Sequence, residues 1–215
     1  MPEPTAREAM LARIRQSLAQ PAPLPPRPDF TAPVHPPLRN DDAVVAFAES
    51  FQRVGGEFHY CESLPALGAS LADFRARQGL GRPFVWEPEL QAVLRAVGVD
   101  FQADEAQFVT QADWSITSCE ALVARTGSVL VAANTASGRR LSIYPDQHVV
   151  LARPAQVVAE IGEALAGARD YYGAQLPSML SLTTGPSRTA DIEKTLVLGA
   201  HGPRRLTLFL LEDEA

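Results

Sequence analysis

Residues 178–193 read Ser-Met-Leu-Ser-Leu-Thr-Thr-Gly-Pro-Ser-Arg-Thr-Ala-Asp-Ile-Glu. The run from Ser178 to Thr184 predicts a strand, which breaks at Gly185-Pro186 and gives way to a polar turn. Strand, Gly-Pro loop and polar segment in that order point to an α/β fold. In such folds these loops stand at the carboxyl ends of strands, where ligands bind. Gly185 can adopt φ > 0 at the strand end, and Pro186 fixes its own φ and removes a competing N–H. Ser187 and Thr189 supply hydroxyls, and Arg188 supplies a planar five-donor fork.

Working outward, a helix of about nine residues ending at Gly199 is expected after this loop. Ser187 or Thr189 would cap it, and Asp191 and Glu193 would lie in its first turn. Gly185, Ser187, Arg188 and Thr189 thus form a candidate cradle for a carboxylate or phosphate. The competing reading is a satisfied turn in which Asp191 or Glu193 pairs with Arg188. Either acid is also a candidate general base, against the ordinary capping role of acids at that position. A second loop, Arg125-Thr126-Gly127-Ser128, offers a similar inventory or simply a hairpin turn with Gly127 in the left-handed region. His201, in His201-Gly202-Pro203, adds an imidazole or only a turn. No Ser/His/Asp set can be ordered from spacing, and there is no P-loop and no GxGxxG. The four histidines and two cysteines show no metal-ligand spacing, so no metal is expected. His148, inside an apolar run, reads as a hydrogen-bonded core histidine, and Trp86, Trp114, Phe84 and Phe101 read as core.

The rest of the chain supplies the scaffold. A helix is predicted over 4–19, capped by Thr5 with Glu8 three residues on, with Met10, Leu11, Ile14 and Leu18 as its apolar stripe. Residues 20–38 hold eight of the eighteen prolines and predict a semi-rigid linker. From Asp41 the pattern alternates. A helix reaches Val54 and is closed by Gly55-Gly56, and a strand covers 57–61. A helix follows from Ser63 to about Arg77, then a strand at 83–86 and a helix over 87–97. That rhythm implies a parallel sheet. A hairpin is predicted from 121–124 and 128–133, and a strand at 147–151. A helix from Pro154 to about Ala168 would turn Val157, Val158, Ile161 and Leu165 inward, and a last strand covers 205–211. The expected domains are an N-terminal helix (1–19), a linker (20–39) and an α/β domain (40–212).

At 215 residues and 46% hydrophobic content the chain can bury a core without disulfides or metals. The net charge of −6, with a single lysine, Lys194, argues against nucleic acid as a partner. Two unrelated cysteines suit a reduced, cytoplasmic protein, and no run is long enough for a membrane span.

Gly185-Pro-Ser-Arg-Thr-Ala-Asp-Ile-Glu193, the downstream Leu196-Val-Leu-Gly-Ala-His-Gly-Pro203 and the terminal Arg205-Leu-Thr-Leu-Phe-Leu-Leu211 resemble the C-terminal signature of the LUD domain family, in its lactate-utilisation protein C branch. Ala112-Asp-Trp-Ser-Ile-Thr117, the Ala121 to Val131 segment and Ser142 to Val150 resemble its other motifs. The likeness spans roughly residues 40–212. It implies a NagB/RpiA/CoA-transferase-like fold, a Rossmann-like layered sandwich with a mixed, mostly parallel sheet. It also implies a subunit that works with two iron–sulfur proteins in oxidising L-lactate to pyruvate. The clusters would lie on those partners, with no cofactor on this chain. A small carboxylate or phosphate would bind at Thr126, Gly127, Ser128, Gly185, Ser187, Arg188 and Thr189, and the N-terminal arm could join copies of the chain. Arg125 stands where that family carries an acid: if that acid is catalytic, this chain has lost it or moved it, with Glu120 five residues earlier as the substitute, and if it balances Arg188, Arg125 makes the site more suited to an anion. The rival readings are a stand-alone enzyme of the same fold acting on a phosphorylated or acyl substrate, and a pure interaction module.

Overall fold

The computed structural model describes residues 5–19, 25–27, 35, 36, 38, 40, 42–111, 113–133, 136–189, 197–199 and 201–212, without the side chains of 109–111. The chain divides into two compact units, Met1–Pro37 and Leu38–Ala215. The first contains helix α1, Ala6–Leu18. Its start is the capping box read from the sequence. The Thr5 hydroxyl accepts from the Glu8 N–H, and the Glu8 carboxylate accepts from the Thr5 N–H at 2.8 Å. Most of the proline-rich linker falls outside the described residues.

The second unit opens on α2 (Ala43–Arg53), whose cap Asp42 accepts from the N–H groups of Val44 and Val45. There follow β1 (Glu57–Cys61), α3 (Leu64–Gln78), α4 (Pro88–Ala96) and α5 (Glu105–Gln111). Next come β2 (Trp114–Thr117), β3 (Ala121–Val123), β4 (Ser128–Ala132) and β5 (Gln147–Ala152). The chain continues through β6 (Val157–Val158), α6 (Ile161–Tyr172) and β7 (Leu180–Thr184). It ends with β8 (Arg188–Thr189), β9 (Val197–Leu198) and β10 (Arg205–Leu211).

Two four-stranded sheets result. The first has the order β1-β10-β5-β2 and is parallel throughout. The second, β6-β3-β4-β7, is mixed, because β3–β4 and β4–β7 are antiparallel while β3–β6 is parallel. The alternation of side chains along β5 and β10 separates two cores. Val150, Ala152, Leu206, Leu208 and Leu210 pack with β3, β4 and α2 between the sheets. Val149, Leu151, Phe209 and Leu211 face α3 and α4. The far side of the second sheet packs Ala121, Val123 and Leu130 on Ala164 and Ala168 of α6. The α/β class is as expected, with helices covering a mostly parallel framework. Among the described residues no helix is long and apolar enough to cross a membrane.

Three predicted elements change. The strand at 83–86 reduces to bridges made by Phe84 to Gln102 and Ser115, because the segment turns at once into α4. The helix from Pro154 is interrupted. Pro154–Gln156 is a 3-10 turn, and the β-branched Val157 and Val158 pair with Leu122 and Val123 as β6. Helix α6 therefore starts only at Ile161, and it buries Ala164 and Ala168 while Leu165 stays exposed. Finally, the helix expected to end at Gly199 does not include Val197 and Leu198, which pair with Thr189 and Arg188 as a two-residue ribbon.

Candidate functional site

The two glycine loops meet. β4 pairs with β7 in a register that sets Ser128 opposite Thr184, so Gly127 and Gly185 stand at the same end of the pair. Both close against the end of α2. A Cβ on Gly127 (φ +64°) would lie 2.4 Å from the Phe51 nitrogen and 2.5 Å from the Ser50 carbonyl carbon. A Cβ on Gly185 (φ +72°) would lie 2.4 Å from the Val54 oxygen. These glycines therefore make room for a helix. Gly127, Ser128 and Gly185 are buried, and the Gly127 N–H is spent on the Val123 carbonyl. The Ser128 hydroxyl lies between those of Thr126 (2.6 Å) and Thr184 (2.7 Å), a closed hydroxyl chain. Arg125 does not add free positive charge, because its guanidinium meets Glu160 at 2.5 Å.

The second motif pair also converges. Ser187 donates its N–H to the Pro203 carbonyl and accepts from the Gly199 N–H, which joins the Gly185 loop to the His201-Gly202-Pro203 turn. Arg188 and Thr189 are extended and pair with Leu198 and Val197, while the residues on which the first turn of the expected helix would fall, 190–196, lie outside the described residues. His201 is exposed. Asp191 and Glu193 lie outside the described residues.

Of the seven residues expected to hold a ligand, Arg188 lines an open cleft of about 280 Å³. Its other walls include Glu57, Arg204 and Arg205 and, on the apolar side, Pro186, Leu198 and Leu206. Arg188 gives one N–H to the Val54 carbonyl at 3.1 Å, at the end of α2. Arg205 donates to the Gln78 amide oxygen at 2.7 Å, and Arg204 faces Asp146 at 3.5 Å. Glu57 is engaged by His59 at 2.9 Å. The cleft opens at the amino ends of β1 and β10, not at the carboxyl ends of the parallel sheet. The reason is that β7, which leads into the Gly185 loop, belongs to the mixed sheet. Arg204 and Arg205 escape a sequence reading, although an arginine doublet directly after His201-Gly202-Pro203 is a usable signal.

A polar cluster occupies the carboxyl end of β2. The Glu87 carboxylate is 8% exposed and accepts from the Ser118 N–H at 3.2 Å, from the Ser118 hydroxyl and from the Ser137 hydroxyl at 2.5 Å. Beside it a cavity of about 10 Å³, room for one water, is lined by Thr117, Ser118, Glu120, Ser137 and Ser142. Glu120 accepts from the Tyr172 hydroxyl at 2.7 Å. Burial, with these two carboxylates adding to it, pushes the Cys119 thiol well up, so it is no nucleophile. Glu87→Ala is expected to cost about 2 kcal/mol, since three donors lose their acceptor. Thermal unfolding checks this, and an unchanged midpoint would show the cluster to be slack.

A family model described as "LUD domain" matches residues 102–211. The chain is 28% identical over 213 residues to lactate utilization protein C of Deinococcus radiodurans, covering 96% of this chain and 95% of that one. It is 30% identical over 122 residues to lactate utilization protein C 1 of Bacillus mycoides, covering 56% of this chain but only 52% of that relative. The crystal structure of a DUF162 family protein from Deinococcus radiodurans shares the fold. Its TM-score is 0.59 at 22% identity, over 81% of this chain and 99% of that one.

Proposed function

The chain belongs to the LUD domain family, and on that premise we propose that it serves L-lactate utilisation as a cytoplasmic subunit that binds a small anion. The observation that carries this reading is the nearly end-to-end likeness to the Deinococcus lactate utilization protein C. Oxidation of L-lactate to pyruvate releases two electrons, and these pass to iron–sulfur clusters on two partner proteins. The chain's own two cysteines are both buried and fall short of a four-thiolate cluster site. Its part is to hold the anion. Arg188, exposed in the cleft and spending one N–H on Val54, is the fork for a carboxylate or phosphate.

The test is dye reduction driven by L-lactate, with the purified chain alone and then with two iron–sulfur proteins from its own genome. Activity only in the mixture is the expected result, and turnover by the lone chain would overturn the reading. Arg188→Ala should weaken anion binding by about 2 kcal/mol, near thirtyfold, as judged by calorimetric titration. Its melting temperature should move little, because the exposed bond to Val54 contributes little. Unchanged affinity in that variant would remove Arg188 from the site.

A further inference from the structure

We propose that the cleft at the amino ends of β1 and β10 is built for a doubly charged, oxygen-rich anion, a phosphate, phosphate monoester or dicarboxylate, with Arg204 and Arg205 completing the site begun by Arg188. This deepens the anion-binding reading above and rests on it.

The first argument is charge. Three guanidinium groups line the cleft against one carboxylate, Glu57, which accepts a hydrogen bond from His59 at 2.9 Å and keeps its charge, so the arginines are in excess. Arg205 has a neutral partner, the Gln78 amide, and Arg188 a neutral carbonyl. Only Arg204 faces an acid among the described residues, at 3.5 Å and on an exposed surface where such a pair is worth little. In a chain of net charge −6 this excess of arginine over the nearby carboxylates Glu57 and Asp146 runs against the overall balance. A monocarboxylate can occupy one bidentate fork and leaves the others unanswered, whereas a dianion with three or more acceptor oxygens can engage all three.

The second argument is construction. Two of the three arginines run through space that glycines leave open. A Cβ on Gly55 would fall 2.5 Å from the Arg188 guanidinium nitrogen, and one on Gly199 would fall 2.2 Å from Arg204 Cγ. The third, Arg205, begins β10, and its guanidinium is held by the Gln78 amide oxygen at 2.7 Å. The arginines are thus positioned by the fold.

Size is permissive. A cleft of about 280 Å³ admits phosphate and lactate alike and also has room for the larger phosphate monoesters and dicarboxylates, so size sets no bar and charge makes the choice.

Calorimetric titration of the full chain at low ionic strength with inorganic phosphate, glycerol 3-phosphate, malonate and L-lactate tests this. The dianions should bind at least tenfold tighter than lactate. Arg204→Gln and Arg205→Gln should each weaken phosphate by about tenfold or more with the melting temperature kept. Gly199→Ala should weaken it with every arginine still present. Free phosphate outbinding glycerol 3-phosphate would assign the site to the inorganic ion, and the reverse to an esterified phosphoryl group. Malonate outbinding both phosphates would assign it to a dicarboxylate. Equal affinity for lactate and the dianions overturns the proposal, as does indifference to Arg204→Gln and Arg205→Gln. Lactate binding that needs Arg188 but neither of the other two would leave the small-carboxylate reading standing alone. If none of the four anions binds, the dianion site fails, while the role in lactate oxidation is still decided by the reconstituted dye assay.

Discussion

Gly127→Ala is expected to cost about 3–5 kcal/mol of folding stability, a large share of the 5–15 kcal/mol typical of a domain. Two effects add. An alanine held at φ +64° is strained by roughly 1–2 kcal/mol. Its Cβ would also stand 2.4–2.7 Å from the Phe51 nitrogen, the Ser50 carbonyl carbon and the Phe51 Cα, all backbone atoms of α2. A side chain can rotate out of the way, but a helix backbone cannot. Relief would require α2 to shift, and α2 carries Phe47 and Phe51, fully buried and stacked at 5.4 Å in the core between the sheets. Gly138 supplies the control. Its φ is +56°, and a Cβ there would meet nothing within 4 Å. Gly138→Ala should therefore lose only about 1 kcal/mol, and the difference between the two variants in urea unfolding measures the close approach alone. Equal losses would mean that α2 is not seated on the β3–β4 hairpin.

The same contact shows where sequence reading stops. That Gly127 and Gly185 would take positive φ was legible, since each follows a strand or closes a hairpin and the requirement is local. Whether the missing side chain makes room for a ligand or for a helix depends on what crosses above, and α2 is more than seventy residues away in sequence. Local signals carried well elsewhere. The Thr5–Glu8 capping box, the Asp42 cap on α2, Ser63 and Gly79 at the ends of α3, and the hairpin at Arg125–Gly127 all rest on neighbours within four residues. Non-local pairings did not show. β10, the last strand, inserts between β1 and β5, and β7 joins the mixed sheet, so the chain forms two sheets although its rhythm suggests one. Val157 and Val158 have the spacing of a helix face, yet pairing with β3 makes them a strand.

The candidate site follows the same division. The Gly185 loop and the His201-Gly202-Pro203 turn stood out as motifs, and the fold joins them through Ser187 and Pro203. Arg188 was visible as a fork within its motif. Arg205 was read only as the start of a strand and Arg204 not at all, because their relation to Arg188 exists only once β10 lies beside β1. Glu87 looked like an ordinary helix-start residue. Its partners Ser118 and Ser137 come from 31 and 50 residues away, and neither spacing has a sequence signature.

Acidification should cost this protein about 3 kcal/mol through one residue, His148. The ring is 2% exposed on the central strand β5, and its Nε2 lies 2.9 Å from the Thr117 hydroxyl. Burial holds its pKa down from 6.5 to about 4, because the imidazolium would lose its hydration. The folded-state value is thus below the unfolded one. Above pH 6.5 the ring is neutral in both states and carries no penalty. As the pH falls from 6.5 towards 4, the unfolded chain takes up a proton that the folded chain refuses, and stability drains away. The loss levels off below pH 4, where both states are protonated. The difference of about 2.5 units corresponds to about 3 kcal/mol at most. Other groups titrate in that range too, so the measurement is a difference. Urea unfolding of the native chain and of His148→Gln at pH 7, 5.5 and 4 should give curves that converge as the pH falls. Parallel curves would mean that His148 is charged in the fold or reached by water. Either finding would set aside the reading of His148 as a core histidine and make it a candidate proton carrier.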